Sequence, residues 1–185
     1  MKKALVILAD GFEELEAAAP ITILRRAKIE VTVAGLSAGP VRGARGLTFV
    51  PDTTLEAVAD QAFDAVVLPG GIPGAPNLKA SALVGRVVQD AAGRGAVLGA
   101  ICAGPTVLAA LGILAGKRAT SHATVRAELA AAGAEVLADR QVVQDGSLVT
   151  SPGAGTAVPF GLRLVHVLLG EDAAAEVAKG MMIGA

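Results

Sequence analysis

The sequence predicts a three-layer α/β sandwich, with helices on both faces of a mostly parallel sheet. Three observations carry this. Apolar runs rich in β-branched residues and leucine recur along the chain, as strands covered on both faces require. Glycine-bearing turns and helical periodicity follow most of them. The 185 residues suit one domain with a sizeable core, and no linker, internal repeat or low-complexity tract divides them. Residues 1–185 are therefore taken as a single domain.

The chain in order supports this. Lys3 to Ala9 (KALVILA) reads as a buried strand, and Asp10-Gly11 as its turn. Glu13 to Ala27 has a helical apolar stripe, with Arg25 and Arg26 suiting the helix C-terminus and Pro20 predicted to kink it. Glu13 and Glu14 are expected to be exposed. Ile29 to Ala34 alternates as a second strand, completing a βαβ unit. Val41 to Val50 reads as a surface excursion of small strands. Asp64 to Leu68 is another buried strand, after which GGIPGAPNL is expected as a loop leading to a helix over Ser81 to Arg94. Ala96 to Ile101 is a strand running into Cys102, with a helix from about Ala103. Arg118 to Ser121 is a short strand ending at His122. Thr124 to Ala132 is a helix capped by Ser121 or Thr124. Glu135 to Leu137 and Gln141 to Val143 suggest a hairpin. Leu148 to Thr150 is the last strand, and Gly155 to Leu169 and Glu171 to Lys179 are closing helices.

Composition excludes several classes. Net charge is −1 with scattered cations, so no basic stripe suits nucleic acid and no basic amphipathic helix suits a membrane surface. Four phenylalanines, without Trp or Tyr, give little base stacking. The N-terminal apolar stretch, Ala4 to Ala9, is too short for a secretory signal and runs into Asp10 and two glutamates. Gly95 to Gly116 is uncharged and long enough to span a bilayer, but its five glycines and one proline read as strand, turn and helix. One Cys fits a reducing compartment, and a cytoplasmic location is expected. No Cys/His cluster suggests a metal, and no GxGxxG or P-loop suggests a nucleotide, so no cofactor is expected.

Cys102 sits where a strand turns sharply into a helix. A thiol lifted to that turn meets backbone N–H groups that can lower its pKa and make it a nucleophile. A buried, inert thiol is an equal reading on pattern alone. His122, at a strand end, is the candidate base, and a capping or surface histidine is the alternative. His166 lies in an apolar helix pattern and is read as packing. Glu16, followed by AAAPI, is read as partly buried, so desolvation would raise its pKa and let it hydrogen-bond a thiolate. Gly70, Gly71 and Ala103 could offer N–H groups to an oxyanion. Sites in open parallel sheets lie beyond the strands' carboxyl ends, where Asp10 to Glu16, Pro69 to Gly71, Cys102 and His122 are predicted to converge.

ALVILADGFEELE, VVLPGGIPGAPNL, AICAGP and TSPGAGT resemble, in order, blocks of the ThiJ/PfpI superfamily, in the branch of the human parkinsonism-associated protein deglycase and its bacterial relatives. The resemblance runs from Lys3 to Lys179. It implies a flavodoxin-like fold and a homodimer. It implies that Cys102 is the reactive cysteine, Glu16 its hydrogen-bonding glutamate, His122 the nearby histidine, and Gly71 and Ala103 the oxyanion-side positions. Arg45 matches a family arginine. The usual TSRGPGT turn is TSPGAGT here, so Pro152 replaces an arginine near the site, and no acidic residue follows His122 to complete a protease-like triad. Two functions are implied. One is a glyoxalase or deglycase acting on methylglyoxal, glyoxal and glycated proteins. The other is a stress sensor and chaperone acting through oxidation of Cys102. A cysteine hydrolase of amidotransferase or peptidase type is a weaker third.

Overall fold

The computed structural model describes residues 1–184. In chain order its elements are β1 (Lys3–Leu8), α1 (Glu14–Arg26), β2 (Glu30–Gly35), β3 (Val41–Arg42), β4 (Thr48–Phe49), β5 (Thr53–Thr54), α2 (Leu55–Val58), β6 (Ala65–Leu68), α3 (Gly74–Ala80), α4 (Ala82–Gly93), β7 (Val97–Ile101), α5 (Pro105–Ala110), β8 (Arg118–Ala119), α6 (Arg126–Ala131), β9 (Glu135–Val136), β10 (Val143–Asp145), β11 (Leu148–Ser151), α7 (Ala157–Leu169) and α8 (Glu171–Gly180). Seven strands form one sheet in the order β10-β11-β7-β6-β1-β2-β5. All neighbours are parallel except β10 and β11.

The period of two along each strand sorts side chains onto two faces. From β1, Leu5 and Ile7 enter a core with Leu78 of α3, Val84 and Val88 of α4, and Leu108 of α5. Ala4, Val6 and Leu8 enter the other, with Ile23 and Leu24 of α1 and Phe160 and Leu164 of α7. These two apolar layers are the reason for the predicted three-layer sandwich. Gly99 lets α7 approach: a Cβ there would stand 2.9 Å from Leu164 Cδ2. The uncharged Gly95 to Gly116 stretch folds as β7, a turn and α5, and no helix among the described residues is long and apolar enough to cross a membrane.

Pro20 lies inside α1, as the sequence places it. Several other local expectations are corrected. GGIPGAPNL is not all loop, because Gly74–Ala80 forms α3. The expected hairpin after Ala132 does not form: β9 pairs in parallel with β8, and β10 pairs with β11. His122, rather than Ser121 or Thr124, caps the turn before α6.

The β3–β4 ribbon is strapped down over the β1–α1 turn. Gly11 N–H donates to the Arg42 carbonyl at 2.7 Å, Ala44 N–H to Phe12 at 2.8 Å, and Arg42 N–H to Asp10 Oδ1 at 2.9 Å. Phe12 and Phe49 meet edge to face at 5.0 Å. Glu14 was expected in solvent. It is 4 % exposed, and its Oε1 accepts the amides of Arg45 at 2.7 Å and Leu47 at 3.2 Å. A buried carboxylate needs such donors. Gly43 leaves the room, since a Cβ there would lie 2.4 Å from the Glu14 carboxyl. Glu14→Ala should therefore loosen the ribbon. Hydrogen exchange at the Arg45 and Leu47 amides should accelerate about ten- to a hundredfold, the worth of bonds to a charged acceptor; unchanged protection would show that the carboxylate does not fasten it.

Candidate active site

The site is built on the turn after β7. Cys102 has φ +62°, a left-handed conformation that costs a non-glycine residue about 1–3 kcal/mol and needs surrounding restraint. The restraint is visible. Cys102 N–H donates to the Ser151 carbonyl at 2.9 Å, extending the β7–β11 pairing by one residue. Its carbonyl accepts His122 N–H at 3.0 Å, and Gly104 N–H closes the turn onto Ile101 at 2.8 Å. Gly104 has no alternative there, since a Cβ would lie 2.4 Å from the Leu68 carbonyl oxygen. The thiol is thus lifted off the end of the sheet, as the sequence predicts.

Glu16 reaches it from α1. Glu13 caps that helix, accepting Glu16 N–H at 2.9 Å, and this fixes the first turn. The Glu16 side chain is 1 % exposed. Its Oε2 accepts Gly70 N–H at 2.9 Å, and the Cys102 thiol and the Ala154 backbone stand close enough to its carboxyl to act against the rise in its pKa. Gly70 was expected to serve an oxyanion, but its N–H is committed to Glu16. Its lack of a side chain is what the site requires. A Cβ would stand 2.7 Å from both Cys102 Cβ and Glu16 Oε2. The N–H groups of Gly71 and Ala103 lie on the sulfur's side of the site and act to lower the thiol's pKa. Gly71 has φ +89°, and a Cβ would fall 2.4 Å from Glu13 N.

The two acids perturb each other. Burial raises the Glu16 carboxyl to about 7 against the lowering effect of its hydrogen bonds. Cys102 corrects the expected lowered pKa. Burial above all, then the negative charge of Glu16 and the bond to it, push the thiol up to about 12, and the Gly71 and Ala103 donors only partly offset this. The helix end expected to acidify it begins at Pro105 and is short. The pair titrates as one unit. While Glu16 is ionised the thiol keeps its proton. Once that proton passes to Glu16, the repulsion ends and the sulfur keeps two backbone donors.

A cavity of about 420 Å³ opens over the sulfur, lined by Glu16, Arg45, Gly71, Cys102, Ala103 and His122 among others. The predicted convergence therefore occurs. Arg45 arrives on the strapped ribbon. His122 is exposed and bonds Thr124 rather than the thiol, with Nδ1 2.8 Å from Thr124 Oγ1 and accepting Thr124 N–H at 3.4 Å. Its Nδ1 is thus engaged with Thr124, which leaves Nε2 as the ring nitrogen free to meet a ligand in the cavity. Sequence reasoning missed Ala154 and Thr124; the glycines of SPGAGT were the only signal for the first, and nothing marked the second. A larger cavity of about 640 Å³ opens at the opposite end of the sheet, beside Lys2, Phe63 and Arg94, and neither cysteine nor histidine lines it. Among the described residues no cluster of His, Cys, Asp and Glu could hold a metal ion.

Residues 2–167 match the model of the DJ-1/PfpI family. The chain is 45 % identical over 183 residues to Protein dj-1beta of Drosophila melanogaster, covering 98 % of this chain and 97 % of the relative. It is 37 % identical over 183 residues to the glutathione-independent glyoxalase DJR-1.2 of Caenorhabditis elegans, with the same coverage. The crystal structure of Drosophila DJ-1beta superposes with a TM-score of 0.95 at 44 % identity, over 100 % of this chain and 99 % of that one. That of oxidized Toxoplasma gondii DJ-1 superposes with 0.94 at 32 % identity, over 100 % of both.

The raised Glu16 carboxyl links the site to stability. The fold favours its protonated form, so its contribution is complete below about pH 4.5 and is lost as pH rises through about 7. Glu16→Gln removes that loss. In urea unfolding, the variant should gain on the wild type by on the order of 3 kcal/mol between pH 4 and pH 8; a difference that does not vary with pH would contradict the assignment.

Proposed function

The chain belongs to the DJ-1/PfpI family, and on that premise we propose that it is a cysteine-dependent glyoxalase and deglycase acting on methylglyoxal, glyoxal and their early adducts on proteins. The observation that carries this reading is the buried contact between Glu16 and Cys102 beneath a cavity with two N–H donors. The glyoxalase name of the C. elegans relative supports it.

Glu16, poised near neutrality, takes the thiol proton as the sulfur attacks the aldehyde carbon. The aldehyde oxygen takes up a proton, giving a thiohemiacetal beside the Gly71 and Ala103 amides. For an aminocarbinol adduct the C–S bond forms as the C–N bond breaks, and the amine leaves with a proton. The hydrogen on the first carbon then moves as a proton, through an enediol, to the second. The first carbon is oxidised to a thioester and the second reduced to an alcohol. His122 Nε2–H donates to the second carbonyl oxygen, and Arg45 attracts the carboxylate that forms. Water cleaves the thioester, releasing lactate or glycolate and the free thiol. The redox change is internal, so the reaction needs no external electron carrier.

A reducing, cytoplasmic setting would keep this single thiol free. A homodimer would cover Leu15, Leu47 and Val50, which are 60–79 % exposed on α1 and the ribbon region. Cys102→Ser should abolish hydroxy-acid release from methylglyoxal, measured enzymatically as lactate; retained turnover would remove the cysteine from the mechanism.

A second reading is favoured by one observation: the related T. gondii structure is of an oxidized protein. Cys102 is half-buried and opens into a cavity that peroxide can enter. Mild peroxide should add two oxygen atoms to the Cys102 peptide, as a sulfinate, in mass spectrometry. The Cys102 peptide staying unmodified while exposed methionines oxidise would exclude a sensor role.

A further inference from the structure

A second groove of about 420 Å³ adjoins the reactive cavity, and Ile72 and Ala103 line both. Ala103 and Thr106, at the start of α5, form its base, with Pro76 and Ala80 of α3 along one side and Val125 along the other. α5 packs against both α3 and α6, which holds these walls together. The lining is largely apolar. The Thr106 hydroxyl donates to the Ala103 carbonyl at 2.8 Å, so its polar group is satisfied within the protein. Ile72 is 67 % exposed at the junction, an unusual place for a large aliphatic side chain with nothing over it. The groove follows α3, a helix about 10 Å long at its seven residues. Near that helix's C-terminal end, Lys79 and Glu128 are paired across the groove.

Ala103 connects the two spaces chemically. It directly follows Cys102 in the chain and lines both spaces, so a carbon attached to the sulfur lies near Ala103. A substituent on that carbon that turns away from Glu16 passes Ala103 and Ile72 into the groove. Methylglyoxal, a three-carbon molecule, fills only a small part of a cavity whose volume lies in the range that takes drug-sized ligands.

The geometry points to this groove as the subsite for an apolar substituent of the carbonyl substrate, so that the site favours 2-oxoaldehydes bearing alkyl or aryl groups larger than methyl. This substrate class rests on the preceding reading of Cys102 as the nucleophile for aldehydes. The subsite itself requires only that Cys102 reacts beside it. Apolar contact with Ile72, Ala80 and Val125 would supply the selectivity, and the Lys79–Glu128 pair would limit the length accepted.

The test uses two series. In the first, Cys102 is alkylated by iodoacetamide and its N-ethyl, N-butyl and N-hexyl homologues, the sulfur displacing iodide. Rates are read by intact mass and divided by those for glutathione. The wild-type rate should rise about tenfold or more from the parent to N-butyl, below the roughly fourfold per methylene of complete burial because the groove is open. Ile72→Asp and Ala80→Asp, both at exposed positions, should flatten the series. A flat wild-type series, or a slope that both variants retain, would overturn the subsite. In the second, hydroxy-acid release is measured for glyoxal, methylglyoxal and an aryl 2-oxoaldehyde, with kcat/KM expected to rise in that order through KM. Turnover without this order would overturn the substrate preference. No turnover of any aldehyde, with a rising alkylation series, would overturn the glyoxalase reading and the aldehyde preference while upholding an apolar subsite beside Cys102.

Discussion

The buried contact between Glu16 and Cys102 governs the structure around it. Two acids cannot both be charged at that distance in so dry a place, so they share one negative charge and the proton that goes with it. Bringing them together imposes conditions on four separate stretches. Cys102 must take a left-handed backbone to leave the sheet. Gly70 must lack a side chain to let the carboxyl reach the sulfur. Glu13 must cap α1 so that its first turn aims Glu16 inward. Ser151 and His122 must grip the cysteine backbone from either side. The strand order of the parallel sheet then does the rest: β1, β6, β7 and β11 all end at the same rim, so residues more than a hundred positions apart arrive at one point.

The fold was legible because its signal is redundant. Buried parallel strands are apolar on both faces, and KALVILA, DAVVL and GAVLGAI could hardly lie elsewhere. Cys102 and Glu16 were legible too, the first from its strand–turn–helix setting and the second from its apolar neighbours, with family resemblance choosing between open readings. What could not be read depended on contacts distant in sequence. Glu14 looks like any solvated helical glutamate until the ribbon amides of Arg45 and Leu47 are placed over it. The pairing of β8 with β9, rather than β9 with β10, is fixed by where α6 returns the chain and not by short two-residue strands.

The direction of the Cys102 shift shows where local reasoning stops. A helix start suggests an acidified thiol, and two amides do act that way. Burial and a neighbouring carboxylate are larger; the uncharged stretch around Cys102 allowed for the first, but the second comes from Glu16, 86 positions away, and has no signature at position 102. The same holds for His122, whose position was foreseen but whose orientation is set by Thr124 two residues later. Residue identity located the chemistry, while partners decided its protonation.

The first turn of α1 holds two things at once. Glu14 fastens the ribbon that carries Arg45, and Glu16, two residues on, faces the sulfur as the group that can take its proton. Floor and roof of the cavity thus hang from a single hinge pin. Because the ribbon is tied to that turn, residues 10–16 and 41–50 would have to be exchanged together for a grafted pocket to keep its shape.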